Sequence, residues 1–222
     1  MKQFVTCEGP AAVLMEDNID TDVIVRIERV AHGKRGEFAP WAFEALRYAP
    51  DGSENPQFVL NREPFRKAQI LLTGANFGCG SSREMAVWAL DDFGIRCVIA
   101  ESFGDIFFGN CLQIGVLPIT LARPEIERLA RIAVAGHPIR VDLRAMRISA
   151  MGTTTVAFEM AASIRTLFLE GLDSVDETLR LRAEIDRFQE EDRRRRPWIY
   201  GPPRRQPMNA VVSIARQLRR SR

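Results

Sequence analysis

The amino-acid sequence predicts an α/β fold built on a partly parallel sheet flanked by helices. Two observations carry that prediction. Short apolar runs alternate with longer amphipathic segments between residues 70 and 135, an order that needs crossover connections between parallel strands. Within it, the stretch ILLTGANFGCGSSRE at 70–84 reads as a strand, a glycine-rich turn and the start of a helix. The chain has 222 residues, 46% of them apolar, enough for one domain with a sizeable core. We expect that domain over residues 1–200 and a basic, disordered tail over 201–222.

Taken in order, residues 11–15 (AAVLM) and 23–27 (VIVRI) read as strands around a polar turn at Asp17–Asp22. Asp20 and Asp22 suit that turn, since their carboxylates can accept backbone N–H bonds; two carboxylates alone make a poor cation cage. Residues 29–37 (RVAHGKRGE) are basic and punctuated by glycine, which predicts a mobile loop carrying Arg35. An apolar helix follows at 41–48 and stops at the prolines of 50–56. In the glycine-rich turn, Gly78 and Gly80 let the backbone bend, Ser81 or Ser82 can cap the helix, and Glu84 enters its first turn. Met85, Trp88 and Ala89 then recur at core-facing spacing.

Further strands are expected at 96–100, 116–121, 139–143 and 154–158, with helices at 103–114, 124–135 and up to Phe168. Leu181, Ile185 and Phe188 form the apolar stripe of a last amphipathic helix, for which core packing is the default. Beyond Asp192 come four consecutive arginines at 193–196, a proline-rich link at 197–207 and no further acidic residue. Such a tail solvates easily, and RNA or an acidic surface are its alternative partners.

Chemistry concentrates at the turn. A helix start presents free N–H groups and the positive end of the helix dipole, here beside two hydroxyls and one guanidinium. Arg83 could hold a carboxylate with both arms, and Ser81 or Ser82 could be stabilised as an alkoxide. Glycine-rich turns also serve as plain connections in α/β proteins. Other chemistries are poorly supplied. No Gly-Lys-Ser/Thr ending and no G-x-G-x-x-G follows the strand, which argues against a nucleotide site. The four cysteines are scattered and only two histidines occur, so this chain is not expected to bind zinc or an iron–sulfur cluster alone, nor Cys79 to act as a hydrolase nucleophile. The net charge of +2 gives no general case for nucleic acid. No run approaches the roughly 18 apolar residues that span a bilayer, and no signal-peptide core follows Met1; a cytoplasmic location is expected, with no membrane contact.

The string Asn76-Phe77-Gly78-Cys79-Gly80-Ser81-Ser82-Arg83-Glu84 resembles the serine loop of the swivelling domain of the aconitase superfamily, most closely that of the isopropylmalate dehydratase small subunits. Asn18-Ile19-Asp20-Thr21-Asp22 is similar to the family's N-terminal signature. Phe58–Asn61, Asp92–Arg96, Ser102–Phe107, Leu117–Ile119, Gly171–Asp173 and Pro197-Trp198 resemble later segments in the family's order. The resemblance implies a swivelling β/β/α-type domain and hydro-lyase chemistry on a dicarboxylate. It assigns Ser81 as the base, Ser82 and Arg83 to substrate binding, and Asn76, Gly78, Gly80, Asp20 and Asp22 to support of the loop. The basic loop of the family reaches towards substrate, which nominates Arg35 for a second carboxylate. The resemblance also implies a separate large subunit carrying a 4Fe-4S cluster. Met85 stands where the family usually has histidine, and Val87 and Arg26 stand where prolines are common. Those departures leave 2- and 3-isopropylmalate, citramalate or citraconate, and dimethylmalate all open as substrates.

Overall fold

The computed structural model describes residues 1–31, 33–150 and 154–201. By compactness the chain divides into Met1–Glu177 and a second unit that begins at Thr178. The strands are β1 (Thr6–Gly9), β2 (Ala11–Leu14), β3 (Ile70–Thr73), β4 (Cys97–Ala100), β5 (Leu117–Thr120), β6 (Ile139–Asp142), β7 (Arg147–Ala150) and β8 (Thr154–Ala157). The helices are α1 (Thr21–Ile24), α2 (Ile27–Val30), α3 (Glu44–Arg47), α4 (Glu84–Phe93), α5 (Asp105–Ile114), α6 (Arg123–Val134), α7 (Ala162–Glu170), α8 (Ser174–Leu179), α9 (Arg182–Arg195) and α10 (Pro197–Tyr200).

Two four-stranded sheets form. One is parallel, in the order β2-β3-β4-β5, with Val13, Leu72, Ile99 and Ile119 in register across it. The other is antiparallel, in the order β1-β6-β7-β8. Every residue of β3 and β4 is buried, because the parallel sheet is covered on both faces. Leu71 and Val98 turn towards Ala86 and Leu90 of α4 and Phe107 and Cys111 of α5. Ile70, Leu72 and Ile99 turn the other way, into a core shared with Ile126 and Leu129 of α6 and Val141 and Ile148 of the antiparallel sheet. Each fully buried side chain of this kind contributes roughly 1.5–3 kcal/mol.

The strand–helix alternation from β3 to α6 follows the sequence expectation. Three local expectations fail. The run at 23–27 is not a strand: Asp20 accepts from the N–H groups of Asp22 and Val23, starting the short helix α1, and α2 follows at Ile27. A cap satisfies donors that a strand would pair elsewhere, and here the cap wins over β-branched propensity. The expected helix at 41–48 is broken into a 3-10 turn at Ala39–Trp41 and the single turn of α3, with Phe43 at φ +52 between them. In the second unit, Leu181, just before α9, and Phe188 within it are exposed rather than buried. The last turn of α9 closes instead on Asp192, which accepts from Arg196 and from the Tyr200 hydroxyl. Apart from Gly201, the expected tail lies outside the described residues.

Candidate active site

The strands of the parallel sheet end on one edge, and the segments that leave them keep pairing past that edge. Asn18 N–H donates to Ala75 O and Gly78 N–H to Ile19 O (2.9 and 2.7 Å), and Thr21 N–H donates to Cys79 O (3.0 Å). On the other side Phe77 N–H donates to Ser102 O and Gly104 N–H to Phe77 O (3.0 and 2.9 Å). The glycine-rich loop is thus the middle strip of three, with parallel bridges at Asp20–Cys79 and Phe77–Phe103. Side chains reinforce the strip. Asn76 Nδ2 donates to Asn18 Oδ1 (2.8 Å), both asparagines being left-handed, and Asn76 N–H donates to Ser102 Oγ.

Gly78 is fixed by packing as well as by conformation. Its φ is +72°, and a Cβ there would lie 2.1 Å from the Phe107 ring. Phe107 in turn meets Phe77 edge-on at 5.3 Å, which wedges the loop against α5.

The loop delivers Ser81 and Ser82, both exposed, to the start of α4. Neither caps that helix, contrary to expectation: the residue before its first turn is Arg83, which makes no side-chain cap bond. Arg83 N–H donates instead to Ser81 O (2.9 Å). The Arg83 side chain is only 15% exposed, and Nη1 lies 2.5 Å from Asp22 Oδ1. The approach lacks hydrogen-bond geometry, so Nη1 is ion-paired yet has no hydrogen-bond acceptor. Asp20 accepts backbone N–H groups in the turn, as the sequence suggests, whereas Asp22 pairs with Arg83, a contact the sequence did not suggest.

Arg35 is not brought to this group. Its Nη2 lies 3.8 Å from Asp91 Oδ2, near the last turn of α4, and the Gly36 and Phe38 N–H groups donate to Asp92 beside it. Ser81–Arg83 precede the first turn of the same helix.

Sequence reasoning overlooked several residues that hold the site. Thr21, 1% exposed, places Oγ1 3.2 Å from Ser81 O and 3.3 Å from Ser81 Oγ. Asp17 accepts from Ala75 N–H (2.8 Å) and pairs with Arg123, which also binds Glu101 (2.8 Å). Asp17, Ala75, Glu101 and Arg123 follow β2, β3, β4 and β5 respectively, so one small network ties the ends of all four parallel strands. The only signal for Thr21 lay in its position inside the Asn18–Asp22 signature. Nothing local marked Arg123.

The donor set does not suit a metal cluster. Among the described residues no three His, Cys, Asp or Glu side chains gather closely enough to hold a metal ion. Cys7, Cys97 and Cys111 are buried, and burial pushes their thiols up, that of Cys7 to about 11. Cys79, half-buried, is alone in the serine loop. Among the described residues no helix is long and apolar enough to cross a membrane.

Comparison with known proteins gives consistent results. Residues 1–124 match the aconitase C-terminal domain family. The 3-isopropylmalate dehydratase small subunit of Gluconacetobacter diazotrophicus is 47% identical over 201 residues, covering 89% of this chain and 97% of the relative. That of Dinoroseobacter shibae is 45% identical over 201 residues, covering 90% of this chain and 100% of the relative. Among solved structures, 3-isopropylmalate dehydratase of Methanocaldococcus jannaschii superposes with a TM-score of 0.61 at 26% identity, over 83% of this chain and 99% of that one.

Proposed function

Because the chain belongs to the aconitase C-terminal domain family, and within it to the 3-isopropylmalate dehydratase small subunits, we propose that its serine loop forms one wall of an active site completed by a large subunit. The protein is thus the small subunit of a hydro-lyase. The reaction assigned to it is the interconversion of 2- and 3-isopropylmalate by dehydration and rehydration, a step of leucine biosynthesis in the cytoplasm. Residues 1–200 are assigned to the swivelling domain and 201–222 to an appended basic segment.

One observation supports this reading above the others: two exposed hydroxyls and a largely buried guanidinium stand together at a helix start, at the carboxyl edge of a parallel sheet. Dehydrating a hydroxy acid requires removal of a weakly acidic C–H proton beside a carboxylate and departure of hydroxide. Ser81 Oγ, as alkoxide, takes the C–H proton. Arg83, steadied by Asp22, holds the neighbouring carboxylate and offsets the charge that grows on it. Ser82 orients the same carboxylate. The loop supports, Asn76, Gly78, Gly80 and Asp20, keep these groups in place.

This chain supplies no ligand set for the departure of hydroxide, and we assign that chemistry to a 4Fe-4S cluster on the large subunit. Arg35 meets a second substrate carboxylate only after leaving Asp91, from which it is separated by a loose 3.8 Å contact with its own side chain 54% exposed. Met85, apolar where the family usually has histidine, favours testing citramalate and dimethylmalate beside isopropylmalate.

The test is reconstitution. The purified chain is combined with its large subunit and assayed on that panel, with Ser81→Ala in parallel. The variant is expected to assemble normally and to lose about 10²–10⁴-fold in kcat. Wild-type turnover by Ser81→Ala would remove the serine from the base role.

A further inference from the structure

We infer that Thr21 is the positioning residue that sets the ionisation of Ser81, by redirecting its one donated hydrogen bond between two oxygens of the same serine; the inference rests on the reading of Ser81 as the base. The geometry is specific. Thr21 is the first residue of α1 and is 1% exposed. Its N–H is committed to Cys79 O at 3.0 Å, which fixes the backbone against the loop two residues before the serine. Its hydroxyl oxygen is nearly equidistant from Ser81 O, at 3.2 Å, and Ser81 Oγ, at 3.3 Å.

A threonine hydroxyl has one proton to give and two lone pairs to accept with. While Ser81 is protonated both contacts are satisfied at once. Thr21 donates to Ser81 O, and the serine hydroxyl donates to Thr21 Oγ1. When Ser81 loses its proton to water on its exposed side, its Oγ can only accept. The Thr21 hydroxyl then rotates about its Cβ–Oγ bond and donates to the alkoxide. No heavy atom has to move, and Ser81 O keeps its bond from the Arg83 N–H at 2.9 Å. Hydrogen bonds to charged oxygens are about twice as strong as neutral ones, so the exchange favours the ionised serine. When the alkoxide takes the substrate's C–H proton, the two hydroxyls return to their first arrangement. Thr21 itself neither gains nor loses a proton through the cycle.

Burial sharpens the effect. Thr21 is 1% exposed, so its hydroxyl dipole acts where water competes poorly. Asp22, the next residue, holds Arg83. One turn of helix therefore positions both groups assigned to the reaction: the base through Thr21 and the carboxylate clamp through Asp22.

The experiment uses the enzyme assembled with its large subunit and compares Thr21→Val, Thr21→Ser and Thr21→Ala across a pH series. Thr21→Val is expected to lower kcat about 10- to 100-fold, the loss of one hydrogen bond to a charged group, with KM little changed. The limb of the kcat profile that reports serine ionisation should move to higher pH. Thr21→Ser should restore both kcat and the limb. Thr21→Ala, which lacks the same methyl as the serine variant and also the hydroxyl, should not; this pair isolates the hydroxyl even if the valine variant fails to fold. A wild-type kcat and profile in Thr21→Ala, or a serine variant as impaired as the alanine one, would overturn the assignment. Inert Ser81→Ala with unimpaired Thr21→Ala removes Thr21 alone. Active Ser81→Ala removes the serine reading, and this inference with it.

Discussion

A methyl group added at residue 78 would strike the Phe107 ring at 2.1 Å and impose a left-handed conformation on an L residue. Gly78→Ala should therefore destabilise the protein by about 3 kcal/mol, combining overpacking with left-handed strain, and urea titration measures it. The need for glycine was legible in the sequence, since a turn of that kind demands conformations other residues avoid. The reason this glycine is irreplaceable was not. Phe107 reaches the loop from a helix across a crossover connection, a contact that no local pattern encodes. Thr21 illustrates the same limit from the other side. Its hydroxyl sits among polar neighbours that would suit any turn, and only the fold brings Ser81 within 3.3 Å of it.

At the scale of elements, strands and helices with apolar runs at one clear spacing were readable from β3 through α6; in the structure left-handed glycines at 94 and 115 end α4 and α5. The strands the sequence did not suggest depended on distant partners. β1 and β7 are short and carry charged residues; β1 pairs antiparallel with β6, and β7 lies between β6 and β8, antiparallel to both. The network at the sheet's carboxyl edge belongs to the same class, since it forms only once four strands lie side by side. It also gives a pH signature. The Asp17 carboxyl is held below its ordinary value of 3.8, first by the Ala75 N–H and then by Arg123. A depressed folded value means that the contribution is fully present above the unfolded pKa and is lost as pH falls through the folded one. Urea stability measured between pH 7 and pH 2 should show a steeper acid loss in the native protein than in Asp17→Asn. Equal slopes would show that the tie adds no stability.

For the molecule as a whole, the position of the serine loop at the carboxyl edge of a parallel sheet followed from the order strand, loop, helix, strand. The boundary at Thr178 did not, because the composition shift in the sequence lies beyond Asp192 and not at that residue. The position of Arg35 beside Asp91 was equally hidden, since a basic loop reads the same whichever helix end receives it. The three paired strips past the sheet edge have one more consequence. The N–H groups of Thr21, Phe77 and Gly78 are bonded across strips rather than to water, so none can be released without parting the sheet's own extension. Placed in deuterated buffer, these three amides should exchange on the slow timescale of the β3 and β4 amides. Rapid labelling there would mean that the serine rides on a hinged flap, whereas slow labelling means that it is carried by the rigid body of the sheet.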